Sequence, residues 1–496
     1  MRWCPRWRGT CLIAAACWML GIGLLAADPV AREPNDNSAP HPQPLSPEYR
    51  GEGRMKASAD GWKAGVSRVK ITPSQPTPMA GYISRGTRPA EGTLTDLWCK
   101  VLVLEDTQGH RAALVTLDLV GIDRQLSQKI CQQVQEQQHW DRSQIAICCS
   151  HTHTGPAVGK NLALMSYLQC DAAGRKVLDD YAEFLKTSIV EAVQRGVENL
   201  KPATLAWGSG EATFAVNRRA NPAPEVPQRR AEGKLQGPSD YAVPVLAVRQ
   251  GDQLAALVFG YACHCTTLAS MEWSGDYAGF AQIDLERDFP GCQAMFWAGC
   301  GADQNPLPRQ TVELAKEYGK QLATAVTKVM QSPMTPLPAE LKTSYVEIAL
   351  PLATLPTREQ LLTDAMSMNA VIALRAKTLL EQIDRGEPLS PTYPYPVAMW
   401  KLGKQIDFVI LGGEVVVDYA IRLKDELSGE RSSPEQVWCA GYANDMMAYI
   451  PSRRVLLEGG YEGGGAMLYY GLPTVWAPEV EEMIVDAVKG QAKRTE

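Results

Sequence analysis

The sequence predicts an α/β fold of mixed β-sheets flanked by helices, and two patterns predict it. Short apolar, β-branched runs recur near residues 64–71, 98–104, 111–119, 144–149, 203–208, 243–249, 254–262, 293–297, 342–350 and 406–411. Segments of helical period fall near residues 124–138, 176–197, 278–288, 309–331, 357–385, 417–427 and 477–490. Strand beside strand early, then strand alternating with helix, is the pattern of a layered domain with mixed sheets. Thr357 with Gln360 forms a capping box that starts the longest helix, read as one element to residue 385.

Along the chain, Arg2, Arg6 and Arg8 precede an apolar run from Cys11 to Ala27, the layout of a secretory signal with cleavage after Ala26 or Ala27. The run is also about as long as a minimal membrane span, so an uncleaved anchor is the alternative. Residues 1–27 are therefore read as a signal peptide and the protein as exported, to a periplasm, cell surface or medium. Residues 28–60, rich in Pro, Ser and Asn without hydrophobic period, read as a disordered linker. Residues 61–496 contain no second such linker and are taken as one large elaborated domain.

Composition excludes several classes. A formal charge of −6 and no basic block argue against nucleic acid as partner. Of 13 cysteines, three lie in the signal. The other ten are even in number, which permits disulfides in an oxidising compartment without specifying pairs. No C-x-x-C, G-x-G-x-x-G or Walker sequence occurs, which removes zinc-ribbon, dinucleotide and P-loop readings.

The chemistry concentrates at Ser150-His151-Thr152-His153-Thr154-Gly155-Pro156, which follows the apolar run Ile145-Ala146-Ile147-Cys148-Cys149. A strand running into a Gly-Pro turn puts two imidazoles at a strand end, on one side if the two-residue period continues. Only six histidines occur, and only His151, His153 and His264 adjoin apolar strand-like runs. His264 closes Leu257-Val258-Phe259-Gly260-Tyr261-Ala262-Cys263. Imidazoles converging from two strand ends supply part of a zinc shell, whereas sites needing four or five histidines lack the residues. The competing reading is ordinary core histidines bonded to backbone. Glu414, after Phe408-Val409-Ile410-Leu411 and two glycines, is either a further ligand or a carboxylate favoured at a helix start. Asp118, at a strand end, is read as supporting the ligands or the fold rather than as a ligand itself.

Further motifs stand in order along the chain: Ala64-Gly65-Val66-Ser67-Arg68-Val69-Lys70-Ile71-Thr72-Pro73, Met79-Ala80-Gly81-Tyr82, Val115-Thr116-Leu117-Asp118, the His151/His153 segment, Asn217-Arg218 and Tyr261-Ala262-Cys263-His264. They continue through Gly301 to Pro306, Gly412-Gly413-Glu414, Asn444 to Tyr449 and Tyr461-Glu462-Gly463. Taken in this order, the motifs resemble the neutral, non-lysosomal ceramidase family, zinc-dependent amidases of the ceramide N-acyl bond. The resemblance implies one Zn2+ per chain held by His151, His264, Glu414 and Tyr449, with His153, Arg218 and Tyr461 lining the reacting centre. The spacing of twelve residues between Tyr449 and Tyr461 also resembles the family, and that resemblance favours Tyr449 over Tyr442 as the ligand.

Two departures bear on substrate. Where the family has Gly-Asp-Val-Ser-Pro, this chain has Ala302-Asp303-Gln304-Asn305-Pro306, so Asn305 stands in place of a serine implicated in ceramide hydrolysis. An amide donates and accepts hydrogen bonds but is no serine-like nucleophile. The chain also runs only 35 residues past Tyr461, so the expected fold is the ceramidase catalytic domain without the family's C-terminal β-sandwich. The function expected is a zinc-dependent amidohydrolase of linear amides, acting on a small-molecule or lipid acyl substrate, with peripheral membrane contact left open. Its alternatives are an esterase or lactonase on the same site, or a metal-containing binding protein without turnover.

Overall fold

The computed structural model describes residues 61–429 and 433–495, so the expected signal peptide and linker lie outside the described residues. Two sheets pack face to face. The larger runs Gln293–Ala298, Gln253–Tyr261, Ala242–Gln250, Lys201–Glu211, Trp62–Lys70, Trp98–Glu105, Arg111–Leu117, Ile145–Cys149, with Thr335–Leu337 added to Lys201–Glu211. The smaller runs Leu341–Pro351, Thr392–Leu402, Ile406–Leu411, Val437–Ala440. Both are mixed: Gln293–Ala298 is parallel to Gln253–Tyr261, Arg111–Leu117 to Ile145–Cys149, and Ile406–Leu411 to Val437–Ala440.

Burial explains the apolar runs. In Gln253–Tyr261, Ala256 and Val258 face the second sheet, against Trp297, Trp400, Phe408 and Trp438, while Leu257, Phe259 and Tyr261 join the core toward the helices. A sheet covered on both faces needs apolar residues at every position, so its strands read as continuous rather than alternating. Helices Asp276–Asp288 and Val312–Met330 cover one end of the larger sheet, and Arg124–Gln138 and Ala172–Glu198 the other. Val417–Leu427 and Val480–Arg494 cover the outer face of the smaller sheet, which completes a helix, sheet, sheet, helix sandwich.

Three expectations are corrected. Residues 357–385 form two helices, Arg358–Asp364 and Ala370–Asp384. The capping box on Thr357 is present, but Asn369 caps a second start through its side chain to Val371 and Ile372 N–H, a stronger local signal than the periodicity that bridged it. The strand Thr392–Leu402 was not expected, because Pro394 and Pro396 mask it; both are tolerated opposite Ala349 and Glu347. The ten cysteines among the described residues are all buried free thiols, so the even count reflects packing rather than pairing.

The carboxyl ends of the parallel strands of both sheets meet. Gly441 N–H donates to Ala298 O at 3.0 Å, Cys149 N–H to Tyr442 O at 3.2 Å and Asn444 N–H to Ile147 O at 2.7 Å. These bonds stitch the loop after Val437–Ala440 across the strand ends of the larger sheet. The carboxyl-end crevice of an α/β sheet is where ligand sites form.

Candidate metal centre

His151 follows Ile145–Cys149 but does not extend it. Its φ is 61°, a left-handed conformation rare for a side chain with a β-carbon, so the expected two-residue strand period is broken there. The turn is held by His151 N–H to Leu119 O at 2.9 Å and by Nδ1–H donating to Val120 O at 2.7 Å. With Nδ1 facing a carbonyl, Nε2 is left pointing inward. His264, three residues past Gln253–Tyr261, repeats the arrangement with Nδ1 donating to Gly301 O at 2.9 Å. A carbonyl on the outer ring nitrogen fixes tautomer and ring orientation, as it does for metal-ligating histidines.

Glu414 is brought in by a two-residue parallel pairing, Glu414–Val415 with Tyr449–Ile450, in the register Glu414 to Tyr449. It lies three residues ahead of the helix Val417–Leu427, so it is neither the cap nor the first turn. Gly413 makes the approach possible: its φ is 73° and a β-carbon there would meet Ala448 O at 2.7 Å. One carboxylate oxygen of Glu414 lies 3.2 Å from His151 Nε2 and 3.0 Å from His264 Nε2. The Tyr449 hydroxyl is 3.3 Å from His264 Nε2. All four side chains are buried.

His153 joins from one side, with Nε2 3.1 Å from His151 Nε2. The ligand-type nitrogens of His151, His153 and His264 lie within 4.8 Å of one another, so proximity alone makes the three imidazoles a metal-binding group. Orientation separates them, because His153 Nδ1 is buried without a hydrogen-bond partner. Its ring is located by packing, edge-on to Tyr82 at 4.8 Å and over Gly81, where a β-carbon would fall 2.5 Å from the ring.

Electrostatics agree with a ligand set. Burial, with the nearby Arg218 charge, pulls His264 down to about 4, and burial with the two other imidazoles holds His153 well below its ordinary value. Both are neutral at pH 7 and keep a lone pair. Burial pushes the Glu414 carboxyl up, but the imidazoles of His151 and His264 outweigh it and hold it well below the usual range. Donors ~2.0–2.2 Å from one tetrahedral zinc lie ~3.3–3.6 Å apart. The separations of 3.0–3.3 Å match that within a few tenths, so the residues fit the ion.

Arg218 donates from Nη2 to the Tyr449 hydroxyl at 3.1 Å and from Nη1 to Asn305 Oδ1 at 3.3 Å, and is anchored by Glu462 at 2.6 Å. Tyr461 is 47% exposed, its ring 5.3 Å from that of Tyr449 and 5.6 Å from the Arg218 guanidinium. All seven expected site residues thus fall in one cluster. Asp118 is structural, accepting from Trp98 N–H at 2.9 Å and Gln282 at 3.2 Å.

Sequence reasoning sets Tyr442 aside and misses Tyr470, yet both belong to the site. Tyr470 donates to the second oxygen of Glu414, leaving the first toward the histidines. Tyr442 stacks on His151 at 4.3 Å, from a left-handed φ of 53°. Neither has a local signal for that role, since Tyr442 lies in a turn and Tyr470 ends the short helix Met467–Tyr470.

Fold and cluster together define a mixed-sheet α/β domain with a histidine, carboxylate and phenol centre at its strand ends. Residues 62–305 match the family model described as neutral/alkaline non-lysosomal ceramidase, N-terminal. Glu414, Tyr449 and Tyr461 lie beyond the matched residues. The neutral ceramidase from Pseudomonas aeruginosa has a similar fold, with TM-score 0.65 at 20% identity over 88% of this chain and 75% of that one. A ceramidase complexed with C2 gives TM-score 0.65 at 18% identity over 88% and 76% of the two chains. No curated protein matches the chain.

Proposed function

We propose that the protein is a zinc-dependent hydrolase of an N-acyl amide, ceramide-like or otherwise, with His151, His264, Glu414 and Tyr449 as the residues that hold the ion. The observation that carries this reading is the convergence of two backbone-anchored Nε2 atoms on Glu414 and Tyr449. When bound, zinc polarises a carbonyl and acidifies water toward a pKa of ~7. His153, neutral and adjacent, accepts the proton of the attacking water and returns it to the leaving amine. Arg218 and Tyr461 donate to the developing oxyanion, each worth on the order of 2.7–4 kcal/mol in comparable sites. The Tyr461 hydroxyl makes no hydrogen bond among the described residues and is free to do so. The test is metal analysis of the purified protein together with hydrolysis of N-acyl lipids, N-acyl amino acids and small esters, with and without chelator. Absence of bound metal, or hydrolysis indifferent to the chelator, would sink the reading.

Asn305 favours a substrate other than ceramide, because it meets Arg218 where the family has a serine. The natural protein is then poor on ceramide, and Asn305→Ser raises ceramide turnover without changing zinc content. Efficient cleavage of ceramide by the unaltered protein would refute this role. Failure of both proteins on every amide and ester would favour a binding protein instead. We also propose export through residues 1–27; a mature N-terminus at Ala27 or Asp28 is the expected sequencing result.

A further inference from the structure

One wall beside the proposed centre is cationic and only partly used by the fold. Three side chains reach alternate carbonyls of the segment that follows His264. Arg309 Nη1 is 3.5 Å from Thr266 O, the Tyr82 hydroxyl is 3.4 Å from Leu268 O, and Arg85 Nη2 is 2.8 Å from Ser270 O. The strip begins at the reacting groups, since Arg85 also donates to His153 O and the Tyr82 ring edges onto His153. Arg85 is buried and stacks over Tyr82 at 4.7 Å, while Arg309 is half-buried at the outer end.

Charge along the strip is unbalanced. Arg309 has no carboxylate partner among the described residues, and its long contact with Thr266 O leaves most of its five N–H donors unused. Tyr82 lies within electrostatic reach of the Arg309, Arg85 and Arg218 charges and of the Asp276 carboxylate. That carboxylate is committed to the N–H groups of Leu268 at 2.8 Å and Tyr277 at 2.6 Å. The buried Thr266 hydroxyl, and that of Ser270, also lack partners among the described residues.

We propose that this strip is a subsite for a carboxylate carried by the substrate itself, with Arg309 as the residue that pairs it, so that the protein prefers N-acyl amino acids or similarly charged amides to neutral lipid amides. The inference rests on the amide-hydrolase reading and deepens it. A planar guanidinium with free donors binds a carboxylate through two parallel hydrogen bonds, which a neutral headgroup cannot reproduce.

The test compares N-dodecanoyl glycine with N-dodecanoyl ethanolamine, which differ in a carboxylate against a hydroxyl, and adds the dodecyl monoamide of succinic acid to move the charge to the acyl side. The zinc-loaded protein is expected to favour one of the charged amides in kcat/KM by roughly tenfold or more. Arg309→Ala should collapse that ratio mainly through KM, Arg309→Lys should restore part of it, and added salt should weaken it. Equal or better cleavage of the neutral amide, or a ratio unchanged in Arg309→Ala, would overturn the proposal. If nothing is cleaved, the hydrolase reading fails separately, and calorimetric binding of N-dodecanoyl glycine decides the subsite: binding lost in Arg309→Ala supports it, and absence of binding by the unaltered protein refutes it.

Discussion

His153→Ala is expected to leave zinc content near one per chain while hydrolysis falls by roughly 10² to 10⁴. The reasoning starts from the two kinds of histidine in the cluster. His151 and His264 each donate Nδ1–H to a carbonyl, at 2.7 and 2.9 Å, and so present a fixed lone pair at Nε2. His153 has no such anchor and faces the others from one side, at 3.1 Å from His151 Nε2. A ligand needs a fixed ring; a group that takes up and returns a proton needs a neutral ring beside the reacting atoms, which burial ensures. Metal analysis and single-turnover rates on one preparation separate the two roles. Zinc lost together with activity would make His153 a third imidazole ligand, which proximity alone also allows.

Replacing Glu414 with Gln should weaken zinc binding on the order of 10²-fold or more and bring hydrolysis to background. Glu414 contributes the one negative charge between two imidazoles, and its removal leaves neutral donors that a divalent cation holds poorly. The consequence extends to stability, because a ligand bound only by the folded state stabilises it by about 4 kcal/mol at a thousandfold its dissociation constant. The unaltered protein should therefore melt at lower temperature after chelation, and the variant should show no such difference. A variant that keeps full zinc and its chelator-sensitive melting would show that the carboxylate is not a ligand. Tyr470 is part of the same argument, since its hydroxyl occupies the oxygen of Glu414 turned away from the histidines.

How much of this was legible beforehand differs from residue to residue. His151, His153 and His264 could be read from the chain because histidine is scarce and each adjoins an apolar run that burial on both sheet faces requires. The layered α/β class followed from the same runs and from helices whose periodicity is local. Glu414 was ambiguous, because a carboxylate after two glycines and before a helix has the same local pattern whether it caps or coordinates. Its parallel register with Tyr449, 35 residues away in the chain, is what distinguishes the two.

The sequence by itself determined which chemistry the chain carries: six histidines, three at strand ends, a carboxylate and tyrosines in spaced motifs, and Asn305 where the resembling family has serine. Only the tertiary structure decided how these groups face one another. His151 turns its imidazole inward through a left-handed φ of 61° that no strand period predicts, and Tyr442 and Tyr470 arrive from a turn and a short helix with no signal of their own. The physical reason is that composition and period are properties of neighbours in the chain, whereas this centre forms where the carboxyl ends of two sheets meet, with partners as far apart as Ile122 and Met446, whose backbone groups hydrogen-bond at 3.0 Å.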